Sequence, residues 1–149
     1  GCLIMVTYYS STVTLWGQVV SLIEEITWLS GKVYKNGAWR TVTVYPQVLV
    51  DFVRDGLEPY LLNQGKYYIQ PEFDIIFQQT VAENKETQKL IMVSGYGAII
   101  DKIQAHTTNC PYWERVTIVD VDPKWYSPGM APAVIEEAKV RVRVKKEWP

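Results

Sequence analysis

Apolar positions along this chain recur with two different periods, and the changes of period divide it into elements. Trp16, Val19, Val20, Ile23 and Ile26 fall three or four apart, Glu24 and Glu25 lie on the other side, and Gly31 follows. This spacing predicts a helix over 13–29, with Ser10, Ser11 and Thr12 as capping oxygens and residues 1–10 as an N-terminal arm. Gly17 and several β-branched residues lower its propensity, so packing must hold it. Asn36–Gly37, flanked by Val33, Tyr34, Ala38 and Trp39, is a hairpin signal, because both turn residues tolerate positive φ. Period two takes over in VYPQVLVDFV, from Val44 to Val53, where Pro46 cannot donate and belongs at a strand start or on an edge.

Between Asp55 and Gly65 the signals are mixed. Pro59 argues against a long helix, and the stretch reads as an excursion with room for one helical turn. YYIQPEFDIIFQQTV resumes strand character, with Phe73, Ile75 and Phe77 on one face and Glu72, Asp74 and Gln78 on the other. AENKETQK is a polar turn with a helix cap. A second helix follows over 86–105, with Leu90, Val93, Gly97 and Ile100 on one stripe and Tyr96, Ile99 and Ile103 beside it. Gly95 and Gly97 each cost about 1 kcal/mol against Ala, a cost that either a close approach by another backbone or a simple kink would explain. WERVTIVDVD predicts a strand over 113–121, PKWYSPGMAP a loop with a Pro–Gly turn, and Val134 to Lys145 a last strand. The succession predicts one α+β domain over 1–149, with a mostly antiparallel or mixed β-sheet and two helices packed on one face.

Composition changes this picture little. The chain has 149 residues and a net charge of −1, so it is no polycation, and nucleic-acid contact would need a local patch. Aromatic residues make up 13%, which leans toward an interface, since Tyr and Trp suit surfaces that are apolar with a polar tip. Cys2 and Cys110 make no framework and read as free thiols of a reducing compartment, the alternative being one disulfide. No apolar run reaches the length of a membrane helix. Gly1–Cys2 resembles a lipid-attachment signal, but Val6 stands where that pattern wants Ser or Thr; a processed or trimmed end is the better expectation.

Catalytic and metal arrangements are not found. His106 stands at a predicted helix C-terminus, where it satisfies last-turn carbonyls; its neighbour Cys110 lacks an orienting third group. Asp120 with Asp122, and Glu136 with Glu137, could bind a cation or act as acid and base, but read as strand-end and loop carboxylates. Gly95-x-Gly97 falls inside a helix and lacks the third glycine of a phosphate loop. The expectation is a protein without catalytic residues, metal or cofactor.

The one distinctive surface is AKVRVRVKK, where Lys139, Arg141, Arg143 and Lys145 share a face at a spacing of roughly 7 Å. Unrelieved, they repel one another. Relief comes from an acidic row on a neighbouring strand, with Glu72 and Asp74 the candidates, from an acidic neighbouring subunit, or from nucleic acid.

The element order resembles the tail terminator (tail-completion) proteins of long-tailed phages and related viruses. Tyr45-Pro46-Gln47-Val48-Leu49-Val50 stands where such a strand opens, and Glu72-Phe73-Asp74-Ile75-Ile76-Phe77 resembles the long central strand. Lys85 to His106 takes the place of the second helix, and Val116 to Asp120 with Ala138 to Val144 the closing pair. The resemblance covers about residues 13–146 and rests on element order. It implies a structural virion protein in the tail or neck, assembled in the host cytoplasm as a homo-hexameric ring. Its partners would be the tail tube protein and the head connector protein, with DNA passing through the lumen without specific binding and no membrane contact. A nucleic-acid-binding module using the basic strand, and a small ligand-binding or enzymatic domain using Asp120, Asp122 or His106, are the competing readings.

Overall fold

The computed structural model describes residues 7–35, 45–61, 66–80, 84–107, 112–124 and 135–148. The first described element is α1 (Tyr8–Glu24), which starts inside the stretch read as an arm and earlier than its spacing suggested. The cap is Thr7, whose Oγ1 accepts from the Ser10 amide at 3.0 Å, so Ser10, Ser11 and Thr12 are helical and not capping. Leu15, Val19, Leu22 and Ile23 bury one face of α1. Trp16 adds an anchor: its indole Nε1–H donates to the Val50 carbonyl at 2.8 Å. A short 3-10 turn (Thr27–Leu29) follows, and Gly31 at φ 77° reverses the chain in a conformation that suits glycine.

The strands are β1 (Val33–Lys35), β2 (Gln47–Arg54), β3 (Leu57–Leu61), β4 (Lys66–Ile69), β5 (Glu72–Thr80), β6 (Arg115–Lys124) and β7 (Ile135–Trp148). Between β5 and β6 runs α2 (Lys85–Gln104), capped by Asn84, whose side chain accepts from the Glu86 and Thr87 amides. The strands form a mixed, seven-stranded open sheet in the order β1-β2-β5-β7-β4-β3, with β6 on the other side of β7. β1 runs parallel to β2, and the remaining pairs are antiparallel.

β4 and β5 pair with β7 in one unbroken register, from Tyr67 opposite Trp148 to Thr80 opposite Ile135. They are one line of backbone interrupted at Gln70–Pro71, where Pro71 has no amide to give. β2 and β3 are interrupted beside them at Asp55–Gly56, and the Gln70 amide donates to the Gly56 carbonyl at 2.8 Å across the two breaks. The segment from Asp55 that read as an excursion is therefore β3, the distal half of a long hairpin. Pro59 fits there because β3 is an edge strand. Pro46 stands just before β2, as expected of a residue that cannot join the ladder. The Asn36–Gly37 hairpin, the Pro–Gly turn and both cysteines lie outside the described residues.

Period two sorts the sheet into two faces. Val48, Val50, Phe73, Ile75, Phe77, Ala138, Val140, Val142 and Val144 are buried beneath both helices. α1 meets this face through Trp16, whose ring lies 6.2 Å from Phe73, and α2 meets it where Phe77 packs on Gly95. The expected α+β architecture, with both helices on one face, is what the chain adopts.

The orientation of α2 differs from expectation. Its buried side is Gln88, Met92, Gly95, Ile99 and Ile103. Leu90 and Val93, placed by spacing on the core stripe, are 65% and 46% exposed. Two apolar stripes compete on this helix, and the one carrying Gly95 wins because the Phe77 ring occupies the space a side chain there would need. The close approach at Gly95 is thus a side chain and not a backbone. A Cβ at Gly97 would meet nothing within 4 Å.

Candidate interaction surfaces

The second face of the sheet has no described helix against it, and it carries the basic row of β7. Each cation has an answer within the chain. On β5, Asp74 lies opposite Arg141, and the guanidinium donates through Nε at 2.9 Å and Nη2 at 3.2 Å to its two carboxylate oxygens. This is the forked geometry that fixes both partners. The bonded and charged Asp74 pushes the Arg141 pKa further up, with burial opposing and Glu72 and Asp120 adding to the rise. One place along, Arg143 Nη2 reaches Glu72 Oε2 at 3.3 Å, and Arg54 from β2 reaches the same oxygen at 3.2 Å. Glu72 is only 4% exposed, covered by the arginines that neutralise it. Lys145 stands 3.8 Å from Glu58 and 4.2 Å above the Tyr68 ring centroid. Lys139 faces Asp122 across the β6 ladder. The acidic row on β5 therefore relieves Arg141 and Arg143, while β3 and β6 supply the carboxylates nearest Lys145 and Lys139.

Among the described residues the register sets two like-charged pairs opposite each other, one of them Arg115 on β6 against Lys145. In the other, Asp51 on β2 lies directly opposite Asp74. Arg141 on the far side of Asp74, and Asp120 opposite Arg141, make a row of alternating sign across the rest of the sheet.

The catalytic candidates are not brought together. His106 Nδ1–H donates to the Lys102 carbonyl at 2.9 Å, closing the last turn of α2, and the His106 carbonyl accepts from Trp113 Nε1 at 2.9 Å. Asp122 lies on the opposite face of the sheet, about 20 Å along β6 from the Val116 amide that bonds Thr107. Gln78 donates to Glu137 at 3.4 Å, which gives that carboxylate a structural place on the open face. Among the described residues no group of three or more His, Cys, Asp or Glu is placed to hold a metal ion.

Two apolar features lie elsewhere, and spacing had assigned neither to the surface. The first is a groove of about 300 Å³ between α1 and the end of β2, walled by Tyr8, Tyr9, Val13, Trp16 and Phe52 with Asp55 at its rim. Tyr9 is 78% exposed there, and the Phe52 ring lies 6.1 Å from Trp16. The second is the outward stripe of α2 at Leu90 and Val93. No family model matches this chain, and no curated protein does. Among the described residues no helix is long and apolar enough to cross a membrane.

Tyr8 ties the groove together. Burial first, then a hydrogen bond to the Asp55 carboxylate and its charge, push the phenol up from 10.0 to about 12. A raised folded pKa means stability that is whole below the unfolded value and lost as pH climbs through the folded one. Wild-type protein should therefore lose stability between pH 10 and about 12, and Tyr8→Phe should flatten that part of the profile. Urea midpoints at stepped alkaline pH read this directly; identical slopes in the two proteins would remove Tyr8 from the account.

Proposed function

We propose that this chain is a structural, self-associating virion protein that closes a ring at the head-proximal end of a tail tube, as tail terminator proteins do. The element order supports this reading: a long first helix, a strand that follows directly on Tyr45-Pro46, the long strand β5, a second helix and the closing pair β6–β7. The observation that carries it is the pair of uncovered apolar features on the helical layer, the α1–β2 groove and the α2 stripe. A ring is built from a heterologous contact, so each subunit needs two different adhesive surfaces.

The charged face of the sheet fits the same reading. A wall past which DNA slides must not grip phosphate, and an arginine already held by a carboxylate has less to offer a passing anion. The nucleic-acid-binding alternative draws on this strand too and loses support for that reason. The hexamer, the tail tube and head connector partners, and the tail or neck location belong to this proposal.

Native mass spectrometry across rising protein concentration, with and without tubes assembled from the tail tube protein, tests it. The expected result is a closed oligomer, hexameric by the resemblance, formed alone or on the tube end. A monomer under every condition, tubes included, would end the proposal.

A further inference from the structure

We infer that the outward stripe of α2 on one copy seats in the α1–β2 groove of the next copy, so that one heterologous contact uses both apolar features. This rests on the self-association reading and names the surfaces that carry it. The groove is a slot with apolar walls and one exposed carboxylate, Asp55, at its rim. Its complement is an apolar ridge beside a cation. α2 presents that combination: Leu90 and Val93 stand out from the helix, and exposed Lys89 adjoins Leu90. One turn on, Gly97 leaves the ridge bare of side chain, with open space where its Cβ would be. A partner's aromatic edge can approach the helix backbone there, and Tyr9 offers one.

Among the described residues, the ridge of a copy does not reach its own groove. The two helices meet toward their C-terminal ends, where Lys102 lies 3.5 Å from Glu25, whereas both features lie toward the N-terminal halves. Neither feature therefore covers the other within one copy. Because ridge and groove sit on different elements, every subunit can give one and receive one, which is the valence a ring requires.

Two variants and their mixture test this. Leu90→Asp/Val93→Asp spoils the ridge and leaves the groove, and Val13→Asp/Tyr9→Asp does the reverse. Each alone should lose assembly about a hundredfold, with circular dichroism and urea midpoint confirming the fold. Mixed one to one, they retain a single functional contact per pair, so native mass spectrometry should find a heterodimer and nothing larger. Lys89→Glu, which alters neither wall of the groove, should weaken wild-type assembly most at low salt. Assembly that survives both double variants, or variants that stay monomeric when mixed, overturns the ridge-in-groove contact while the ring itself stands. A wild-type chain that never associates, tubes included, overturns both.

Discussion

Gly95→Ala should destabilise the protein by about 2 kcal/mol or more, although alanine is the better helix former. The Phe77 ring lies where the new Cβ would go, in direct overlap with three of its carbons. Phe77 is fully buried and has little freedom to yield, because Trp28 stacks edge-on against it at 5.9 Å. Overpacking of this kind typically costs about 1–3 kcal/mol and occasionally more, against about 1 kcal/mol returned by helix propensity. Gly97→Ala, on the same helix and with nothing within 4 Å, should gain up to that same increment. The double variant Gly95→Ala/Phe77→Leu should recover part of the loss, giving a coupling well above the additivity error of about 0.5 kcal/mol. Urea unfolding at constant slope is the measurement. Equal midpoints for the two glycine variants would mean that α2 does not sit on Phe77 as described.

Glu72→Gln should cost about 1–3 kcal/mol, more than loss of either arginine that touches it. The carboxylate is buried, whereas the side chains of Arg54 and Arg143 are 67% and 41% exposed. Removing the anion leaves two guanidinium groups converging on one site, with no charge between them. Arg54→Ala, by contrast, removes an exposed partner and should fall in the range of about 0–1 kcal/mol that surface ion pairs show. Substituting all three with apolar residues of similar volume should come close to neutral, because the desolvation penalty goes with the charges. A Glu72→Gln loss no larger than that of Arg54→Ala would show that this carboxylate does not organise the face.

Both effects bear on what could be read from the residues beforehand. The alternation of Phe73, Ile75 and Phe77 with Glu72 and Asp74 announced a strand with a buried and an open face. The matching alternation from Ala138 to Lys145 announced its partner, because two rows of opposite sign on one face relieve each other. That Glu72 and Asp74 could meet the basic row was legible for that reason, as one of three ways to relieve it; which arginine faces which carboxylate came from the register.

The orientation of α2 was not legible. Its sequence offers two apolar stripes, and the choice is made by Phe77, a residue of a different element. β3 was hidden because Gly56 and Pro59 look like breakers until the neighbouring strands show that they sit at an interruption and on an edge. The groove is tertiary throughout, since Trp16 and Phe52 become neighbours only when α1 lies across β2. The local signal for the start of α1 misled, because three good capping residues follow the one that caps.

β7 has a consequence for synthesis. It is the common neighbour of β4, β5 and β6, and it follows all of them in chain order. The contact of Arg143 with Glu72 spans 71 residues of sequence. A nascent chain leaving the ribosome therefore displays Phe73, Ile75 and Phe77 on an unfinished ladder until residues 135–148 emerge. The sheet closes only once β7 has emerged, and a chain truncated before residue 135 leaves open strand edges of the kind that chaperones hold and aggregates recruit.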